Sequence, residues 1–75
     1  MNISLLSCSA KRPDRRAISQ LLEEVAEGVD SSLATELTNI LLDGSPVEIE
    51  VLDKTTNSAY RALRKLNIDY EIIED

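Results

Sequence analysis

Apolar positions along this 75-residue chain change their period several times, and each change marks an element. From Ile3 to Cys8 the run ISLLSC is short and largely apolar on both sides, the pattern of a central strand. Pro13 follows within Lys11–Asp14, where it suits the first turn of a helix and would interrupt an interior strand. Ile18, Leu21, Leu22 and Val25 then recur at i, i+3, i+4 and i+7, one buried helical stripe. Glu23, Glu24 and Glu27 occupy the other side, and Gly28 is placed to stop the helix. A second helix begins at once. Asp30, Ser31 or Ser32 can cap its orphan amides, Leu33, Leu37, Ile40 and Leu41 form its apolar stripe, and Asp43-Gly44 ends it.

Pro46 prevents that helix from resuming, and beyond it Val47, Ile49 and Val51 alternate with Glu48 and Glu50, the period of a strand with one wet face. Asp53, Thr55 or Thr56 can cap a third helix with the inner stripe Ala59, Leu63 and Leu66, and Asn67 suits a left-handed C-cap. Tyr70 to Glu74 reads as the last strand. The order is therefore β-α-α-β-α-β. Two helices between the first and second strands make an out-and-back excursion, so those strands run antiparallel. One helix between the second and third makes that pair parallel. Placing the first strand between the others gives a wholly antiparallel three-stranded sheet, order 2-1-3. Three helices cover one face, in a single-domain, two-layer α+β sandwich whose other face is open.

Composition narrows the function classes. Hydrophobic content of 43% with 29% charged residues is that of a folded chain. No stretch approaches the roughly 18 apolar residues of a membrane span. The opening MNISLLSCSAKR lacks the leading basic residues of a signal peptide, so a cytoplasmic location without membrane contact is expected. The chain has no histidine and one cysteine, which removes the usual general base, the commonest zinc ligand and any internal disulfide framework. The expectation is a protein that is not an enzyme and holds neither cofactor nor metal. A net charge of −6 disfavours nucleic acid, whose binding depends on clustered cations. Residues 17–42 outline a helix-turn-helix, but SSLATELTNILL has no lysine or arginine to meet phosphates or bases. The expected partner is a protein, of a kind the sequence does not name.

Several side chains stand out against this background. Lys11, Arg12, Arg15 and Arg16 cluster at a helix start, where cations oppose the macrodipole by about 0.3–1 kcal/mol each. That cost favours an external anion, although a solvated helix start is the plainer reading. Glu23, Glu24, Glu27 and Asp30 form an acidic ridge that reads as a wet helix face. Glu48 and Glu50 point together from the second strand, with no third ligand at suggestive spacing for a divalent cation. Arg61, Arg64 and Lys65 suit the C-terminal half of the third helix. Tyr60 and Tyr70 are the only aromatics and are expected to lie partly buried beside the core, and Cys8 reads as a small buried hydrophobe. The open face is expected to carry Leu52 with either Leu6 and Cys8 or Ile3 and Leu5, consistent with a monomer or a weak homodimer formed through that face.

Three stretches carry a family resemblance over nearly the whole chain: the strand and small-residue turn ISLLSCSAKR, the junction Leu41-Leu42-Asp43-Gly44-Ser45-Pro46, and the closing SAYRALRKLNIDYEII. Together they resemble the C-terminal domain of the bacterial ribosomal large-subunit stalk protein. The resemblance implies the same β-α-α-β-α-β fold. It also implies a contact surface on the first two helices, where cationic side chains of that family recruit translational GTPases. At the matching positions Arg15 keeps a basic character, whereas the later ones fall on Gln20, Glu23, Glu36 and Asn39, which reverses the local charge. GVDSSLAT stands where the family has a Gly-Leu-Gly-Leu turn. The reading that follows is a small noncatalytic protein–protein interaction module, an adaptor or inhibitor. Its contact surface lies around Arg12, Arg15, Arg16, Gln20, Glu23, Glu36 and Asn39. A stalk-protein paralogue that binds translational GTPases and a carboxylate-based enzyme or enzyme subunit are the alternatives.

Overall fold

Residues 1–73 are described by the computed structural model of the chain. The periodic segments become β1 (Asn2–Cys8), α1 (Arg15–Val25), α2 (Ser31–Leu42), β2 (Val47–Glu50), α3 (Thr56–Lys65) and β3 (Ile68–Ile73), with a 3-10 turn over Asp53–Thr55 leading into α3. β1 is central and pairs antiparallel with both neighbours, so the sheet order is β2-β1-β3. Ile3 sits between Ile49 and Ile72, and Leu5 between Val47 and Tyr70, on the face the helices cover. One residue out of phase, Ser4 sits between Glu48 and Glu71 on the open face. Ile3, Leu5, Ile18, Leu22, Leu41, Val51 and Leu63 are fully buried and make up the centre of the core.

β1 is not apolar on both sides, because a bulge rephases it. The β1–β3 register shifts between Leu5 and Ser7, so Leu6 is the extra residue and lies 41% exposed. The insertion returns Cys8 to the covered side, opposite Ile68. Ile3, Leu5 and Cys8 therefore face the helices, and Leu6 does not.

Asp14 caps α1 by accepting the Ala17 N–H at 3.0 Å, which leaves Pro13 ahead of the cap instead of in the first turn. The predicted stripe of α1 is the observed one: Ile18, Leu21, Leu22 and Val25 are buried. The helix stops at Val25, before Gly28, because the next residues are drawn to the end of β2. Ala26 bridges Val51, and the Glu27 N–H donates to the Glu50 carbonyl at 2.7 Å. Gly28, at φ 75°, then turns the chain toward α2, where Asp30 caps through the Leu33 N–H at 2.8 Å.

α2 is rotated from the predicted stripe. Ala34, Thr38 and Leu41 are buried, whereas Leu33 is 38% and Ile40 39% exposed. Small residues at the contact let α2 approach its neighbours closely. The Thr38 hydroxyl donates to the Ala34 carbonyl at 2.7 Å, so burying it leaves no polar atom unpaired. At the other end the Gly44 N–H bonds to the Leu41 carbonyl and the Ser45 N–H to the Ile40 carbonyl, with Gly44 at φ 99°, a Schellman ending. At α3 the Thr55 and Thr56 hydroxyls donate back to the Leu52 carbonyl and cap no amide. Leu66 is half-buried, Asn67 takes the left-handed conformation at φ 59°, and β3 starts at Ile68, two residues before the predicted Tyr70. Glu74, the predicted end of that strand, lies outside the described residues.

The rotation of α2 is testable by truncation. Leu41→Ala is expected to cost about 2–5 kcal/mol of unfolding free energy, and Ile40→Ala no more than about 0.5 kcal/mol. Urea denaturation midpoints separate these outcomes, and equal losses would contradict the packing described.

Candidate functional site: the groove between α1 and α2

The helix pair encloses a groove of about 340 Å³. Its walls are built from polar residue types, set in step. The Arg15 guanidinium donates to Asn39 Oδ1, and one turn further along α1 the Ser19 hydroxyl meets that of Thr35 at 3.4 Å. Another turn on, Glu23 and Ser31 line the far end. Each advance of four residues on α1 is matched by a retreat of four on α2, so the helices run antiparallel and the two bonded pairs form rungs. Arg16 and Gln20 flank these rungs on α1, and Thr38 forms the buried floor.

The local sequence explains why Arg15 and Arg16 are tolerated at a helix start. The Asp14 carboxylate occupies the cap and places an anion at the positive end of the α1 dipole. Antiparallel packing also sets Arg15 beside Asn39 in the last turn of α2, at the negative end of that helix. The groove is therefore dipolar, with two guanidinium groups at one end and the Glu23 carboxylate at the other.

Of the seven residues singled out from the sequence, Arg15, Arg16, Gln20, Glu23 and Asn39 line this groove. Arg12 is exposed in the segment before the α1 cap, and Glu36 is exposed on α2 but is not part of the lining. Ser19, Ser31, Thr35 and Thr38 belong to the lining and were not foreseen. The signal that finds Ser19, Ser31 and Thr35 is polar spacing: residues 15, 19 and 23 on one helix and 31, 35 and 39 on the next share a four-residue period.

The other polar and charged side chains lie outside the groove. Glu48, Glu50, Asp69 and Glu71 are all exposed and share the open face of the sheet with Asn2, Ser4 and Ser7. Among the described residues, no group of three or more histidine, cysteine, aspartate or glutamate side chains is arranged to hold a metal ion. Tyr60 and Tyr70 stack with ring centroids 5.1 Å apart and planes 5° from parallel, tying α3 to β3. Cys8 is half-buried, with its Sγ 3.5 Å from the Leu66 carbonyl. Arg61, Arg64 and Lys65 are exposed on α3. Among the described residues, no helix is long and apolar enough to cross a membrane.

Fold and groove together define a small α+β sandwich domain with a cleft between its first two helices. No family model, curated protein or solved structure matches the chain.

The Arg15–Asn39 rung is expected to be a real coupling. A double-mutant cycle with Arg15→Ala and Asn39→Ala should return an interaction free energy of about 0.5–1.5 kcal/mol in urea unfolding. Additive losses would show that the rung does not close this end of the groove.

Proposed function

We propose that this chain is a small noncatalytic protein-interaction module, an adaptor or inhibitor, that docks its partner in the α1–α2 groove. The observation that supports this reading is the dipolar ladder of side chains. Arg15 and Arg16 precede Glu23 by about two helical turns, roughly 10–12 Å of backbone rise along α1. A partner surface with a carboxylate at one end and a cation or amide donor at the other complements that spacing, while the hydroxyl and amide groups between them supply hydrogen bonds. The module works in the cytoplasm without cofactor or nucleic acid. Glu48, Glu50, Asp69 and Glu71 would face their own copies across an open-face dimer, so the repulsion favours a monomer.

A second reading, a stalk-protein paralogue that recruits translational GTPases, draws support from the β-α-α-β-α-β order and from Arg15 and Arg16 on the first helix of the pair. Glu23 and Glu36 work against it, because they meet an acidic partner with like charge.

One experiment tests both. Affinity capture from host lysate with the full chain at low salt, where charge steering is strongest, is expected to retain a discrete protein. Arg15→Glu with Arg16→Glu should reduce its recovery at least about tenfold. A translational GTPase as the captured protein would favour the second reading. Equal recovery by the charge-reversed chain, or no partner at low salt, would contradict docking in this groove.

A further inference from the structure

The two edges of the sheet are finished differently. Val51 N–H donates to the Met1 carbonyl at 2.8 Å, and the Met1 ammonium donates to the Val51 carbonyl at 3.1 Å. Residues along an antiparallel strand alternate in the neighbour they bond to. Met1, Ile3 and Leu5 therefore bond toward β2, and Asn2 and Ser4 toward β3. Their partners Ile73 and Glu71 are turned inward to β1. The N–H and C=O groups of Tyr70 and Ile72 are left pointing away from the sheet, along the outer side of β3. The same alternation turns Glu48 and Glu50 outward on β2, but that strand is only four residues long, follows Pro46, and has the Glu50 carbonyl taken by the Glu27 N–H. β3 has six residues and carries neither proline nor lysine, the residues that commonly blunt an edge.

We propose that the outer edge of β3 accepts an extended segment of a partner protein as a fourth strand, and that the segment alternates basic with apolar residues. The two faces of β3 dictate that alternation. On the open face, Asp69 and Glu71 are exposed, and Glu48 lies in the same cross-strand row as Glu71. Three strands span only about 10 Å, roughly one Debye length at moderate salt, so these carboxylates act together on whatever lies beside them. Cationic side chains on an added strand pair with them directly across the ladder. On the helix side, Ile72 is 42% exposed at the sheet margin, and Tyr70 is only half covered by its stack on Tyr60. Apolar side chains between the cations would cover both.

The same charges disfavour a second copy of this chain in the antiparallel registers that pair Tyr70 with a residue of β3. If Tyr70 pairs with its own counterpart, Asp69 opposes Glu71 twice. If Tyr70 pairs with Ile72, Glu71 opposes Glu71, and if it pairs with Ile68, Asp69 opposes Asp69. Like charges directly opposite destabilise a strand pair. Asp69 and Glu71 thus guard the edge against self-association while leaving it open to a cationic strand. This surface is separate from the helix groove and does not depend on docking there.

The test uses the isotope-labelled full chain and a synthetic peptide of alternating lysine and valine as long as β3, with amide exchange read by NMR. The Tyr70 and Ile72 amides are expected to exchange at least about tenfold more slowly when the peptide is added. A peptide with glutamate in place of lysine should leave them unchanged. Asp69→Lys with Glu71→Lys should reverse the preference between the two peptides, and the unmodified chain already supplies the comparison if that variant is unstable. Unchanged Tyr70 and Ile72 amides at saturating lysine peptide, or equal slowing by both peptides, would overturn the proposal. Slowing in the free protein that grows with its own concentration would also overturn it, because the occupant would then be a second copy.

Discussion

β1 bonds to β2 along one side and to β3 along the other, and on its covered face Ile3 and Leu5 are wholly buried. This double duty of one short strand brings segments from the start, middle and end of the sequence together. A chain of this size buries a modest share of its surface, so it has little stability to spare. Without β1, neither β2 nor β3 would have a neighbour in the sheet. With it, α2 packs on β1 and β2 and α3 packs on β3, and α1 lies between those two helices. The second helix must then run back antiparallel to the first, and that return sets the rungs of the groove in step. The sheet order and the groove are two consequences of the same pairing.

The elements that could be read in the sequence are those whose apolar residues make their own core contacts. Ile18, Leu21, Leu22 and Val25 mark the buried face of α1, and Val47 and Ile49 that of β2. The strand order follows from counting reversals, and Asn67 shows its left-handed turn by its residue type. What escaped is tertiary in origin. The face of α2 is chosen by the small Ala34 and by Thr38, whose hydroxyl is satisfied within its own helix, so an apolar count selects Leu33 and Ile40 instead. The end of α1 is decided by Val51 and Glu50, far along the chain, before Gly28 can act. The Leu6 bulge exists only in the pairing with β3 and leaves no mark in the run ISLLSC.

The candidate site was partly visible for a related reason. Charge marks Arg15, Arg16 and Glu23, and the stalk-domain pattern expected from the sequence adds Gln20 and Asn39, all of which line the groove. Glu36 and Arg12 lie apart because one more step around α2, or a few residues before the α1 cap, is enough to leave the seam. Serine and threonine at 19, 31 and 35 give no apolar signal, yet they line the groove along its length. The domain thus separates two chemistries: a dipolar seam on the helix side and an acidic surface on the open face of the sheet. Nothing in the local pattern of either helix reveals this division, because it requires knowing which faces meet.

Under the proposed function, a protein partner sits between the helices. Photo-crosslinking in host cells, with the reactive side chain placed at Thr35 within the groove or at exposed Lys54 in the turn before α3, addresses it directly. A discrete crosslinked protein from position 35 and none from position 54 is the predicted result. Crosslinks of equal yield from both, or from position 54 alone, would contradict the groove as the docking surface.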